Sequence, residues 1–252
     1  EADMDFAEYS GIKPNPRIQE VREATELARE FQPDVILAVG GGSVIDSAKA
    51  VAAATLYDND PWDLFTGALQ PERAVPIIAV LTLAATGTEM NPFSVVQNPE
   101  TGLKAAFASK LVSPTYSFLN PSFTVSVPRD YTAYGISDLV AHSMEAYFGA
   151  GDASLADRFV VSIIQEAREY GPALLKEVDN LDLRARIMYA ATCALNEMTV
   201  YGRVSGDWGV HGFGHVFSLL YDVPHGATLS AVYPAWLRLM QERVPERITQ
   251  FG

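Results

Sequence analysis

The stretch Val35-Ile36-Leu37-Ala38-Val39-Gly40-Gly41-Gly42-Ser43-Val44 decides the fold. Its five uninterrupted apolar residues predict a strand buried on both faces, and the glycines behind them predict a tight turn. Ser43 is placed to cap the next segment, the Ala-rich run from Val44 to Leu56, which favours helix. Upstream, after the turn residues Pro14-Asn15-Pro16, apolar side chains at Ile18, Val21, Ala24, Leu27 and Ala28 make a 3.6-residue stripe, so Ile18 to Phe31 reads as an amphipathic helix. Downstream, Val75 to Leu81 reads as a second apolar strand that runs into the polar turn Thr86-Gly87-Thr88-Glu89. Strands alternating with helices imply right-handed crossovers and a parallel sheet, so residues 1–127 are expected to form a Rossmann-like α/β domain.

Beyond Pro128 the pattern changes. Tyr131 to Phe148, Ser154 to Tyr170, Leu174 to Glu177, Leu183 to Thr199 and Gly214 to Leu220 read as helices with almost no strand-like alternation. Residues 128–252 are therefore expected to be all-α, with a boundary between Pro121 and Pro128, where two prolines and Asn120 interrupt both patterns.

Composition narrows the function. The chain has 252 residues, 48% of them apolar and 19% charged, with a mean hydropathy of +0.07, which is the make-up of a globular protein that buries a core. No apolar run is long enough to span a bilayer, so a membrane protein is excluded. A net charge of −13 repels a phosphate backbone and argues against a nucleic-acid partner. The single cysteine, Cys193, forms no internal disulfide, and Glu1-Ala2-Asp3-Met4 has neither a basic nor an apolar leader region. A cytoplasmic setting is expected.

The glycine turn lies between a strand and a helix N-terminus, where bare backbone N–H groups and the helix dipole favour an anion such as a pyrophosphate. The plainer reading is a strand-to-helix turn whose glycines serve backbone geometry alone. Thr82, Thr86 and Thr88 come after the next strand and offer hydroxyls on the same carboxyl edge, although a threonine taken singly is more often a cap or turn residue than a ligand contact. The second chemical signal is the histidines. All four, His142, His211, His215 and His225, lie in the helical half. Asp138 and His142 are spaced i,i+4 on one helix face, and His211 and His215 repeat that spacing. A carboxylate with imidazoles and no thiolate suits Fe²⁺, Zn²⁺, Co²⁺ or Mn²⁺. Such an ion polarises a carbonyl or holds an alcohol as alkoxide, which beside a nucleotide site points to hydride transfer. Five-coordination by four protein ligands and a substrate oxygen favours Fe²⁺ over tetrahedral Zn²⁺.

The stretches Gly40 to Lys49, Thr86 to Glu89, Gly135 to His142, His211-Gly212-Phe213-Gly214-His215 and Pro224-His225-Gly226 resemble the iron-containing, metal-dependent alcohol dehydrogenases along essentially the whole chain. Leu81 to Gly87, Asp60-Pro61-Trp62 and Asp207-Trp208 resemble the branch of butanol dehydrogenases and NADPH-dependent aldehyde reductases. The resemblance implies a dehydroquinate synthase-like fold, truncated at both ends, whose first strand–helix unit and last helices are missing. It implies that Asp138, His142, His211 and His225 bind the metal. It also implies cofactor contacts from Asn15, Gly41, Gly42, Ser43, Asp46, Thr82, Thr86, Thr88, Val95 and Lys104. His215 is implied to lie beside the nicotinamide and substrate, and with Asp46 it is expected to serve the catalysis.

The expected activity is metal-dependent, NAD(P)H-linked interconversion of small aliphatic alcohols and aldehydes, with NADP ahead of NAD and a homodimer as the assembly. The alternatives are a polyol dehydrogenase of the glycerol type, a dehydroquinate-synthase-like lyase, and a non-catalytic nucleotide-binding module that assembles with itself. The complete Asp138, His142, His211 and His225 set argues against the lyase, which is expected to place a Glu first.

Overall fold

The computed structural model describes residues 4–252, which form two compact units. The first takes the chain up to Thr82 together with Thr88–Asn120, and the second takes Leu83–Gly87 and Pro121–Gly252. Glu1 to Asp3, on which the expectation about a leader region falls, lie outside the described residues. No helix among the described residues is long and apolar enough to cross a membrane.

In the first unit, helix α1 (Ile18–Phe31) buries Ile18, Val21 and Ala28 of the predicted stripe, together with Thr25, while Ala24 and Leu27 are half-buried. Strand β1 (Ile36–Gly40) leads through the glycine turn into α2 (Gly42–Ala54), and a short helix α3 (Trp62–Thr66) comes next. At Gly40 an added Cβ would stand 2.5 Å from the Val44 side chain, so the turn closes only on a residue without one. Strand β2 (Ile77–Leu81) pairs in parallel with β1, Ile36 opposite Ile77 and Gly40 opposite Leu81. Strands β3 (Phe93–Asn98) and β4 (Leu103–Ala108) form a separate antiparallel hairpin, and β5 (Tyr116–Phe118) joins β2 to complete the sheet order β1-β2-β5.

The parallel sheet is as expected, with two corrections. Among the described residues β1 is buried on one face only: Ala38 is 2% exposed, whereas Leu37 and Val39 are 60% and 55% exposed. A five-residue apolar run cannot tell one covered face from two, because period-2 alternation shows only when polar residues mark the open side. Nor does Ser43 cap α2. The helix starts at Gly42 with Gly41 as its cap, which makes Ser43 an interior residue of the first turn.

In the second unit, α4 (Arg129–Tyr147) packs against α5 (Ser154–Leu174), α6 (Leu181–Ala194) and α8 (His225–Arg243), while α7 (Gly209–Tyr221) packs on α8 and α9 (Pro245–Phe251) closes the chain. Buried residues run all round α4, from Leu139 and Ala141 to Asp138 and Glu145, so it is the central helix of the unit. Here too the structure departs from the sequence reading. Leu174 ends α5 and no separate helix covers Leu174 to Glu177. Helix α6 stops at Ala194, well short of Thr199, before Glu197 takes a positive φ of 74°. Helix α7 begins at Gly209, not Gly214, so His211 is helical.

Candidate functional site

The second unit brings three elements to one point. Helix α4 carries Asp138, His142 and Glu145 at i, i+4 and i+7, which places all three on one face. The first turn of α7 supplies His211, and the first residue of α8 supplies His225. Helix α8 reaches α4 because Gly226 has no Cβ: one built there would stand 2.1 Å from the Tyr134 carbonyl oxygen. Pro224 fixes the entry to the same helix, so His225 is held by its chain neighbours on both sides.

The geometry centres on one oxygen. Asp138 Oδ1 lies 3.6 Å from His142 Nε2, 3.6 Å from His211 Nε2 and 3.7 Å from His225 Nε2. These separations exceed an N–H···O hydrogen bond, which reaches about 3.2 Å. Donors roughly 2.1 Å from a common ion stand about 3.4 Å apart at the corners of a tetrahedron, so the observed spacing fits ligands around a divalent cation. Asp138, His211 and His225 each offer one ligand atom within 4.8 Å of the other two, and His142 joins through its contact with the same carboxylate. Asp138 and His211 are buried, yet neither Asp138 Oδ1 nor His211 Nε2 has a hydrogen-bond partner. Buried carboxylate and imidazole atoms that face each other beyond hydrogen-bond distance are stabilised by positive charge between them, either a bound cation or a proton on His211.

Electrostatics agrees with that reading. Burial alone would raise the Asp138 carboxyl, but the attraction of His142, His211 and His225 outweighs it and holds the group well below the usual carboxylate range. Burial pushes His142 down to about 4, so it is a neutral imidazole at physiological pH. His211 is also buried, which opposes its charge, but Glu145 and Asp138 raise it to about 9. Glu145 is fully buried and holds His211 twice, accepting from its backbone N–H at 2.9 Å and meeting its ring Nδ1 through Oε2. His215, one turn along α7, is half-buried, its ring centroid 5.3 Å from that of His225 and 6.1 Å from that of His211.

The remaining sequence-predicted residues fall mostly in the first unit. Asp46 is buried in α2, and its carboxylate accepts from the Thr88 hydroxyl at 2.6 Å and from the Val95 backbone N–H at 3.0 Å. Three of the predicted residues are thereby tied together. Lys104 on β4 donates to the Asn15 side chain at 3.0 Å, which joins two more. Gly41, Gly42 and Ser43 form the start of α2, and Thr82, directly after β2, donates its backbone N–H to the Gly40 carbonyl at 3.0 Å. Thr86 belongs to the second unit. Sequence reasoning missed Glu145 and Lys49. The signal for Glu145 was present, three residues after His142 on the Asp138 face. Nothing in the sequence marked Lys49 as a fully buried cation.

Residues 1–121 match the family described as iron-containing alcohol dehydrogenase, and residues 132–252 match the one described as Fe-containing alcohol dehydrogenase family, C-terminal. The chain is 44% identical over 232 residues, 92% of its length and 59% of the relative's, to the probable NADH-dependent butanol dehydrogenase 2 of Bacillus subtilis. It is 41% identical over 253 residues to the NADPH-dependent aldehyde reductase YqhD of Escherichia coli, covering 99% of this chain and 65% of that one. The crystal structure of NADH-dependent butanol dehydrogenase A from Thermotoga maritima superposes with a TM-score of 0.93 at 40% identity, over 96% of this chain and 61% of that one. The chain thus spans about three fifths of the length of such relatives. Two family segments in their expected order, and the same fold at this identity, lead to one conclusion: the chain belongs to the iron-containing alcohol dehydrogenase family.

Proposed function

We propose that this chain carries the metal and nucleotide machinery of an NAD(P)H-linked oxidoreductase that interconverts small aliphatic alcohols and aldehydes. The nucleotide-binding domain would span residues 1–127 and the metal-binding helical domain residues 128–252. The observation that carries the reading is the single Asp138 oxygen set 3.6 to 3.7 Å from three imidazole nitrogens. The names of the relatives, butanol dehydrogenases and an aldehyde reductase, agree with it and include both NADH and NADPH users.

Asp138, His142, His211 and His225 would hold the ion, Fe²⁺ ahead of Zn²⁺, through one carboxylate oxygen and three Nε2 atoms. Bound in that donor set, a divalent ion would supply Lewis-acid polarisation of a substrate oxygen, and a nicotinamide would supply the hydride chemistry. Asp138 would contribute the negative charge for such an ion, and neutral His142 a lone pair without a further charge. His215, beside His225 but outside the mutually close group, would hold or pass the alcohol proton at its imidazole nitrogen. In the first unit Asp46, which accepts from the Thr88 hydroxyl and the Val95 backbone N–H, would orient those groups for the cofactor, and Gly41, Gly42 and Ser43 at the start of α2 would meet it. Asn15, Thr82, Thr86 and Lys104 are the remaining proposed cofactor contacts. The lone Cys193 supports a cytoplasmic setting, and the family resemblance supports a homodimer.

The test is aldehyde-dependent NADPH and NADH oxidation by the protein reconstituted with Fe²⁺ or Zn²⁺, alongside Asp138→Asn. About one metal equivalent with turnover in the wild type is expected, and a loss of at least about 100-fold in the variant. Wild-type turnover in Asp138→Asn, or no turnover in the reconstituted wild type, overturns the reading.

A further inference from the structure

Glu145 is assigned no role by the ligand set, yet its placement is unusual. Its side chain is 0% exposed on the central helix of the second unit. No Lys or Arg pairs with it among the described residues, and its side chain meets two groups of one residue, the backbone N–H and the ring Nδ1 of His211. The backbone bond satisfies a donor in the first turn of α7, which has no intrahelical partner of its own. The ring contact makes Nδ1 a proton-bearing nitrogen. A carboxylate only accepts, so Nδ1 must donate, and in the neutral ring the lone pair then belongs to Nε2. That is the nitrogen facing Asp138 Oδ1 at 3.6 Å, without a hydrogen-bond partner. The support continues outward: the Glu145 carbonyl accepts from the Asp207 backbone N–H at 2.8 Å, and the Asp207 carboxylate accepts from Trp236 Nε1 at 2.7 Å.

We propose that Glu145 is a positioning residue that locks the His211 ring and its Nδ1–H tautomer, presenting Nε2 as a metal ligand. This deepens the proposed ligand assignment and rests on it. Carboxylates that hold the far nitrogen of a ligating histidine fix ring orientation and raise ligand basicity, and their loss weakens metal binding about 10- to 100-fold. Glu145→Gln separates orientation from packing. The amide keeps the size and can still accept from the His211 backbone, but its N–H₂ turned toward Nδ1 drives the ring proton to Nε2, where it blocks the ligand position.

The experiment measures zinc affinity by chelator competition in the full-length wild type, Glu145→Gln and Asp138→Asn, with ¹⁵N NMR of the histidine rings in the zinc-loaded protein. The expected result is a dissociation constant about 10- to 100-fold weaker in Glu145→Gln. The wild type is expected to show a downfield, exchange-protected His211 Nδ1–H that the variant lacks. A Glu145→Gln affinity within twofold of wild type, or an unchanged His211 signal, overturns the proposal. If the wild type binds no zinc, or Asp138→Asn binds as tightly as wild type, the ligand assignment itself falls and takes the proposal with it, a pattern distinct from the first. Should Glu145→Gln not fold, the wild-type spectrum decides: a protected Nδ1–H on His211 supports the role, and its absence removes it.

Discussion

At the scale of single residues the first unit depends on a buried cation. The Lys49 side chain is fully buried, and its ammonium reaches Thr88 Oγ1 at 2.7 Å, the Asn91 carbonyl at 2.8 Å, Asn91 Oδ1 at 3.1 Å and the Phe93 carbonyl at 2.7 Å. Burial pushes it down to about 8, opposed by the attraction of Asp46 and Glu89. The Thr88 hydroxyl passes the chain of bonds to Asp46, so one α2 face gathers the segment from Thr88 to Val95. Lys49→Met keeps the volume and removes all of the ammonium's bonds to these buried oxygens. A loss of about 3 kcal/mol in urea unfolding is expected, whereas a loss under about 1 kcal/mol would mean that water satisfies those oxygens. The sequence carried no warning of this, because a lysine on an Ala-rich helix reads as its solvated face until the partner oxygens are brought in from residues about 40 positions away.

At the scale of elements the second unit is tied by a carboxylate shared between two arginines. Asp157 on α5 binds Arg247 of α9 at 2.5 and 2.7 Å and also binds Arg203, whose side chain is buried, from the loop before α7. Arg247 further donates to the Tyr147 carbonyl at 2.9 and 3.1 Å and lies over its ring, which joins α4 to the same knot. Partial burial raises the Asp157 carboxyl, but the two guanidiniums outweigh it and hold it below its ordinary value. Its folded pKa therefore lies below the unfolded one, near 3.9. The contribution is fully present above about pH 4 and is lost as the pH falls through the folded value. Asp157→Asn is expected to cost about 2 kcal/mol at pH 7, and the gap to wild type to close between pH 4 and 2 in urea titrations. A gap that stays constant down to pH 2 would assign the cost to packing instead. The interior of the helices was legible from periodicity, but their ends were not: α7 starts at Gly209 and α6 stops at Ala194. The β3–β4 hairpin was missed for want of alternation, although Asn98-Pro99-Glu100-Thr101-Gly102 is a clear turn signal.

At the scale of the whole molecule, a chain of net charge −13 has one open apolar sheet face in its first unit. The register sets Leu37 and Val39 beside Ile78 and Val80, and these beside Tyr116 and Phe118, so all six side chains share that face. Leu37, Val39, Tyr116 and Phe118 are each more than half exposed. A contiguous apolar surface of this kind binds hydrophobic dyes and promotes association. In the 252-residue chain, Leu37→Thr with Val39→Thr is expected to lower ANS fluorescence severalfold while changing unfolding stability by under about 1 kcal/mol. Unchanged fluorescence with a large loss of stability would show that the face is covered in solution.

The sequence by itself determined the α/β-then-helical order, the helix stripe of Ile18 to Ala28, the parallel strands around the glycine turn and the i,i+4 pairing of Asp138 with His142. All of these come from short-range periodicity and backbone rules. Only the tertiary structure decided that Asp138, His142, His211 and His225 converge on one oxygen, that Glu145 holds His211 from behind, and that Asp46 and Lys49 are buried in a polar network. Those facts depend on three helices approaching as closely as Gly226 permits and on loops folding back over α2. Such long-range packing leaves no periodic trace in the local order of residues.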